Sequence, residues 1–161
     1  LLGACEVATH AGAVHLESAK TTALLAYLTL APGPHPRPAL TEMLWPELAG
    51  ERAAAALRRA LWDIRRRVTA GGDDGAVLAN RQTVEINPRV AREVDVEHFA
   101  AACASAARLG EGAAEQRLDE LRRGLALYRG DLLDGLEVDG ATLAAGILEH
   151  LGPAGAREAS R

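Results

Sequence analysis

The sequence is poor in aromatic residues and in cysteine. Two Trp, two Tyr and one Phe make up 3% of the 161 residues, so a core has to be built mainly from Leu, Val and Ala. Cys5 and Cys103 lie far apart, with no CxxC motif and no His at metal-ligand spacing. This excludes a disulfide scaffold and the common zinc sites, and both thiols are expected to be small core residues in a reducing compartment.

Long hydrophobic runs are also missing. No apolar run reaches the roughly 18 residues of a membrane-spanning helix, and no basic segment precedes an apolar one at the start of the chain. The sequence therefore predicts a cytoplasmic protein with no membrane partner. The chain starts LLGACEV without a Met, which predicts a fragment or a trimmed product.

Motifs for catalysis and for cofactor binding are absent from the sequence. The five histidines are scattered, and none pairs with Cys, Asp or Ser in a catalytic pattern. No Gly-rich phosphate loop follows a strand. Asp131 and Asp134 in GDLLDG are typical of a turn and a cap rather than of an acid–base pair. We predict no enzyme activity, no catalytic residue, no metal site and no bound cofactor.

Charge is unevenly distributed along a chain of globular composition (48% hydrophobic, 25% charged). Residues 1–94 carry 11 basic and 10 acidic side chains, and residues 95–161 carry 7 basic and 12 acidic ones. The net charge thus changes from +1 to −5 between these segments. This asymmetry predicts two functional halves, domains 1–94 and 95–161.

The most basic segment is ERAAAALRRALWDIRRRV at 51–68. Its six Arg stand against two acidic residues, a formal charge of +4 in a chain of −4. At about 100° per residue, one face of the predicted helix is an apolar stripe (Ala53, Leu57, Leu61, Ile64 and Val68), and the opposite face is mainly Arg. A basic surface in an acidic protein indicates binding of phosphate, although an ordinary solvated face is the alternative.

Strands, three helices and a hairpin are predicted in that order over the first half. Residues 1–17 form two short strands around Ala11-Gly12, and Ser18 caps a helix SAKTTALLAYLTL. A second helix runs from Arg37 or Pro38 to Trp45, and the basic helix follows. After the turn GGDDG at 71–75, VLANRQTVEI at 77–86 alternates like a hairpin. This is the order of a winged helix, in which the third helix enters the major groove.

The second half is predicted to be helical. DVEHFAAACASAARL and AAEQRLDELRRGLALYRG are separated by residues 110–112, which is typical of an αα-hairpin and of one tetratricopeptide-like unit. The apolar side of the second helix is predicted from four residues (Leu118, Leu121, Leu125 and Tyr128). A short helical piece is expected beyond Gly140, and residues 152–161 are expected to be a frayed tail.

Six segments together resemble the SARP-type (antibiotic regulatory protein) transcriptional activators: LLGACEV, SAKTTALLAYLTLAPG, LTEMLWPE, LRRALWDIRRRV, VDVEHF and LALYRGDLLDGL. They occur in the family's order over residues 1–136. The resemblance implies an α+β, OmpR-like winged helix (1–94) followed by an all-α, TPR-like bacterial transcriptional activator domain (95–161). Since the region after Gly135 lacks the Trp and Arg residues expected in a further repeat helix, the second domain is predicted to be truncated and incomplete.

The resemblance also implies a function and partners. It implies an activator of a biosynthetic or secondary-metabolism gene cluster that binds direct repeats in double-stranded promoter DNA, as a homodimer. RNA polymerase, through its sigma or alpha subunit, is the implied protein partner. The alternative is a protein-interaction adaptor built on a winged helix with weakened base readout. The run of four alanines at 53–56 favours that alternative, since the family often has polar residues there.

Ten residues are predicted to contact DNA. Base edges are assigned to Arg52, Arg59 and Ala55 because they point outward near the start or middle of the basic helix. Contacts to the DNA backbone are assigned to other side chains of that helix (Arg58, Trp62 and Arg66). Phosphates are assigned to residues outside the helix, each with ordinary surface as the alternative (Lys20 beside Ser18, Arg37, Thr41 and Arg81).

Overall fold

The computed structural model describes residues 1–68, 75–110 and 112–136. Mixed helix and strand content is confirmed, and the predicted helices occur in the predicted order. The elements are β1 (Gly3–Ala4), β2 (Val7–Thr9), β3 (Gly12–Val14), α1 (Ala19–Leu30), β4 (His35–Pro36), α2 (Arg37–Leu44), α3 (Gly50–Arg67), β5 (Val77–Ala79), β6 (Thr83–Ile86), α4 (Asp95–Arg108), α5 (Ala114–Leu127) and β7 (Leu132–Asp134). Most of the predicted turn at 71–75, the helical piece beyond Gly140 and the predicted tail lie outside the described residues.

The described chain falls into two compact units. We call residues Glu6–Ala91 the N-terminal unit, and Arg92–Gly135 together with Leu1–Cys5 the helical unit. The domain boundary between residues 94 and 95 stays a prediction. The compact units differ from it mainly in that the first five residues belong with the helical unit.

The core of the N-terminal unit lies where α3 packs against α1, α2 and β5. The predicted apolar stripe of α3 is buried at Ala53, Leu57, Leu61 and Ile64. The α1 helix is buried around most of its circumference, because helices and sheet cover it on several sides. Its first turn is capped as predicted, with the Thr21 N–H donating to Ser18 Oγ at 3.1 Å.

Two antiparallel sheets complete the N-terminal unit. The predicted hairpin at 77–86 is confirmed as β5 and β6, with Val77 opposite Ile86. Its tip is closed by Asn80, whose Oδ1 accepts from the N–H groups of Gln82 and Thr83 at 2.7 and 2.8 Å. The β4 strand extends this sheet and was not predicted, because two residues are too few to show a period of two. The β2 and β3 strands form the other sheet around the predicted turn.

The start of the chain belongs to the helical unit through backbone pairing. The β1 strand pairs in parallel with β7, and the Gly3 N–H donates to Asp131 O at 2.8 Å. Gly3 has a φ of 96°, and a Cβ there would lie 3.2 Å from the Arg129 backbone. Asp95 Oδ2 accepts from the Leu2 N–H at 2.9 Å. The sequence prediction differs on two points: the first strand pairs across the chain, and the middle of the predicted GDLLDG turn is a strand.

The helix pair α4–α5 packs on small residues. Gly124 is buried, and a Cβ on it would lie 3.3 Å from Ala102 Cβ and 3.6 Å from Phe99 Cδ2. The four residues predicted as the apolar side of α5 are instead exposed by 46–67% within the described part of the chain (Leu118, Leu121, Leu125 and Tyr128). Close approach at Gly124 turns a neighbouring face of α5 towards α4, and the larger side chains remain outside.

Candidate nucleic-acid interface

The six predicted contact residues of α3 lie on one exposed face. The apolar stripe is on the other side of α3 and packs in the core. Side chains that point away from the stripe therefore reach solvent. Trp62 is 53% exposed on this face. We call this surface the α3 face (Arg52, Ala55, Arg58, Arg59, Trp62 and Arg66).

An aromatic ring and a cation are stacked on the α3 face. The guanidinium carbon of Arg66 lies 5.0 Å from the centroid of the Trp62 ring, which is the geometry of a cation–π contact. The contact orients the guanidinium and covers part of a large apolar ring that would otherwise face water alone. The pair therefore presents a flat, positively charged surface suited to sugar and phosphate.

Several of the predicted cations already have a carboxylate partner. Arg58 pairs with Glu51 at 2.6 Å, and Arg59 pairs with Glu17 at 3.4 Å. Among the described residues, Arg52 and Arg81 form no ion pair. The α3 face therefore carries both neutralised and available positive charges.

Lys20 lies beside α3 through its own ion pair. Its Nζ donates to Glu47 Oε1 at 2.6 Å, and this hydrogen bond lowers the pKa of Glu47. Since Glu47 precedes the start of α3 by three residues, Lys20 is held close to that end of the helix. The Ser18 hydroxyl near it is engaged in capping α1.

Arg37 and Arg81 are brought together at the β5–β6 hairpin. Arg37 Nη1 donates to Asn80 O at 3.1 Å, next to the exposed Arg81 at the tip. Thr41 is half-buried and its Oγ1 donates to Pro38 O at 2.8 Å, so its hydroxyl proton is used within α2. The structure thus places two predicted cations at the hairpin and leaves Thr41 an acceptor only.

Asp63 is a buried carboxylate of α3 that was not among the residues predicted from the sequence. Asp63 is 1% exposed; it accepts from the Glu17 N–H at 2.8 Å and from Arg67 Nε. The hydrogen bond from Arg67 to Asp63 raises the pKa of Arg67. The available signal was an acidic residue in a basic helix, four positions before an Arg.

Two kinds of site are absent from the described part of the chain. No helix there is long and apolar enough to cross a membrane. No group of three or more His, Cys, Asp or Glu side chains in that part is placed to hold a metal ion.

Comparison with known proteins gives a family match for part of the chain and a structural likeness. The chain is similar in structure to Mycobacterium tuberculosis EmbR in complex with a low-affinity phosphopeptide, with a TM-score of 0.67 and 23% sequence identity. The match covers 84% of this chain and 37% of that protein, and it shows a shared fold over that length. A search among curated proteins gives no match.

The family model of the bacterial transcriptional activator domain matches residues 94–152. This stretch includes α4, α5 and β7, and the predicted second domain of the SARP-type pattern occupies the same part of the chain. The match confirms the recognition made from the sequence. Residues 94–152 are therefore similar to the bacterial transcriptional activator domain, the second domain that the SARP-type resemblance implies.

Proposed function

We propose that this chain is a DNA-binding transcriptional regulator that inserts α3 into the major groove as the third helix of a winged helix. The observation that carries the proposal is the two-sided α3: one side is buried in the core, and the other is an exposed face with Arg and Trp. The strands, three helices and hairpin occur in winged-helix order. A rigidly held basic helix can enter a groove without reorganising the fold.

Within that proposal, base edges are read by Arg52, Arg59 and Ala55. Arg52 lies near the N-terminal end of α3 and is free of ion pairs among the described residues, so its guanidinium is available to guanine O6 and N7. Such a bidentate contact discriminates by about 1–3 kcal/mol. Ala55 offers a methyl group to thymine. The alanines beside it bring no hydrogen-bonding group, so base readout rests on few side chains.

The remaining predicted residues bind the DNA backbone in this proposal. Arg58, Trp62 and Arg66 follow the groove along α3, and the hairpin brings Arg81 and Arg37 to an adjacent phosphate. Lys20 and Thr41 have the weakest support, because Lys20 is paired with Glu47 and the Thr41 hydroxyl donates within its own helix. Contacts of this kind position the protein and make binding dependent on salt.

The helical unit supplies protein contacts in the same proposal. Its family match supports recruitment of RNA polymerase, through the sigma or alpha subunit, as the activating step. We further propose that two copies bind side by side on direct repeats in a promoter, and that the controlled genes form a biosynthetic or secondary-metabolism cluster. These finer assignments rest on the family resemblance.

The test compares a duplex selected from a random-sequence pool by repeated binding with a scrambled duplex of equal composition. The parent is expected to prefer the selected duplex. Arg59→Ala and Arg81→Ala are expected to weaken binding and to reduce the salt slope by about one per lost phosphate contact. Arg59→Ala alone is expected to narrow the preference as well. Arg122→Ala, which removes an exposed charge from α5, serves as the matched control.

Equal affinity of the parent for both duplexes would reject sequence-selective regulation. It would favour the second candidate, a protein-interaction adaptor built on a winged helix. The observation that supports this candidate is the combination of alanines at 53–56 with carboxylates paired to Arg58 and Arg59. An adaptor would also be insensitive to Arg81→Ala.

A further inference from the structure

The loop at the tip of the β5–β6 hairpin has a backbone that does not favour the turn by itself. The Asn80 N–H donates to Thr83 O at 3.0 Å across the tip. Arg81 and Gln82 lie between them, and neither has a positive φ, since Leu133 is the one non-glycine residue in the described ranges that does. The two-residue hairpin turns that match the twist of the strands need a positive φ at one or both central residues. Other bonds therefore have to hold this tip.

Asn80 supplies several of those bonds. Its Oδ1 accepts from the N–H groups of Gln82 and Thr83 at 2.7 and 2.8 Å, and its Nδ2 donates to Thr83 Oγ1 at 2.9 Å. Its carbonyl accepts from Arg37 Nη1 at 3.1 Å, and the backbone of Arg37 is restricted by Pro38, which follows it. The tip is thus held from inside by the Asn80 side chain and from outside by Arg37.

We propose that Asn80 is a positioning residue for DNA binding: it fixes the turn that carries Arg81, so that Arg81 meets a phosphate without first having to be ordered. Arg81 is exposed and forms no ion pair among the described residues. When the conformation that binds is only partly populated, the apparent affinity falls by that fraction. A loosened turn therefore weakens binding to DNA of any sequence by the same factor, because the contact is to phosphate. This inference rests on the proposed function.

The test is Asn80→Ala in the full chain, with affinity measured on the selected and the scrambled duplex near 0.1 M salt. One phosphate contact is worth about five- to tenfold in affinity at that salt. Since the loosened turn forfeits only part of it, we expect a loss of about two- to fivefold on both duplexes. Asn80→Ser keeps an oxygen acceptor that bonds a turn more weakly, so an intermediate loss is expected. Affinities of both variants equal to that of the parent would overturn the inference.

Thr9→Ala is the matched control. Thr9 Oγ1 accepts from the Ala11 N–H at 3.2 Å, so a side chain also holds the turn between β2 and β3, in the same N-terminal unit. None of the ten predicted contact residues lies in that turn, and we expect Thr9→Ala to bind DNA as the parent does. A loss as large as that of Asn80→Ala would show that loosening any turn weakens binding, which contradicts a role through Arg81.

Coupling with Arg81 gives a second, independent measurement. In an Arg81→Ala background, Asn80→Ala is expected to have little further effect on either duplex, because Asn80 acts through Arg81. A merely structural role of Asn80 would keep its full effect there, and that result rejects the inference even if the parent selects DNA well. A parent that binds both duplexes equally rejects sequence-selective regulation alone, because the phosphate contact is measured on either duplex. A parent that binds neither duplex rejects both.

Discussion

The N-terminal unit and the helical unit use apolar residues in opposite ways. The N-terminal unit buries its large side chains almost completely, at no more than 1% exposure for the best covered ones (Leu24, Leu28, Leu40, Leu44, Leu57, Ile64 and Val84). In the helical unit the buried positions of α4 and α5 are small (Ala102, Ala106 and Gly124), and three of the Leu side chains of α5 are exposed (Leu118, Leu121 and Leu125). The N-terminal unit is stabilised by large side chains that fill its core. The helical unit is stabilised by the close approach of α4 and α5.

This difference shows what a hydrophobic stripe does and does not predict. On α3 the stripe found in the sequence is the buried side, because three elements surround it and each Leu fills a space between them. On α5 the stripe is exposed, because α4 contacts α5 at Gly124, where the absence of a side chain allows the backbones to approach. Helical periodicity finds the apolar face, whereas the partner decides which face is covered.

The largest expected effect comes from removing volume in the N-terminal unit. Leu57 is fully buried on α3, so Leu57→Ala is expected to lower the free energy of unfolding by about 2–5 kcal/mol. Chemical denaturation followed by Trp fluorescence measures this loss of unfolding free energy, since both Trp residues lie in this unit. The matched control is Leu125→Ala, which removes the same volume at a side chain of the helical unit that is 67% exposed and should change stability by less than about 0.5 kcal/mol. Its denaturation is followed by far-ultraviolet circular dichroism, because that signal comes from the helices of both units. Equal losses in the two variants would contradict the comparison.

A smaller effect is expected from adding volume in the helical unit. A Cβ on Gly124 already lies 3.3 Å from Ala102, so the branched side chain of Gly124→Val must push α4 and α5 apart. The expected destabilisation is about 1–3 kcal/mol, read as faster amide hydrogen exchange in peptides from residues 95–127. Ala126→Val places the same side chain at an exposed position of α5 and controls for helix propensity. Exchange that rises equally in both variants would show that Gly124 is not a packing contact.

The smallest of these effects is expected at a helix end. Ser18→Ala removes the acceptor for the Thr21 N–H and is expected to destabilise the N-terminal unit by about 1 kcal/mol. The same Trp-fluorescence denaturation measures it. Ser105→Ala, inside α4, is expected to leave that transition unchanged because it lies in the other unit. A Ser18→Ala variant as stable as the parent would mean that the first turn of α1 is held by its packing alone.

Local chemistry made much of the fold predictable. The Ser18 cap, the Asn80 hairpin tip and the two faces of α3 all depend on residues within a few positions of one another, and the structure confirms each. The strands β4 and β7 were missed, as was the pairing of β1 with β7, because each of these strands is two or three residues long and depends on a partner distant in sequence. Such pairing leaves no periodic signal.

The candidate interface was also predictable only in part. Exposure of Arg52, Arg59 and Trp62 follows from helix geometry once the apolar stripe is known. The ion pair of Arg59 with Glu17 does not follow from helix geometry, because 42 residues separate them and the Glu17 backbone is bonded to Asp63 in the folded unit. The charge available to DNA is therefore a property of the folded unit.

The sequence by itself determined the helices, the Ser18 cap, the hairpin and the basic face of α3, because these depend on local propensity and on a period of 3.6 residues. Only the tertiary structure decided which side of α5 meets α4, that residues 1–5 pair with β7, and which arginines carry a carboxylate partner. The physical reason is common to all three. Each depends on the distance at which side chains or backbones meet, and that distance is set by packing and not by the order of the residues.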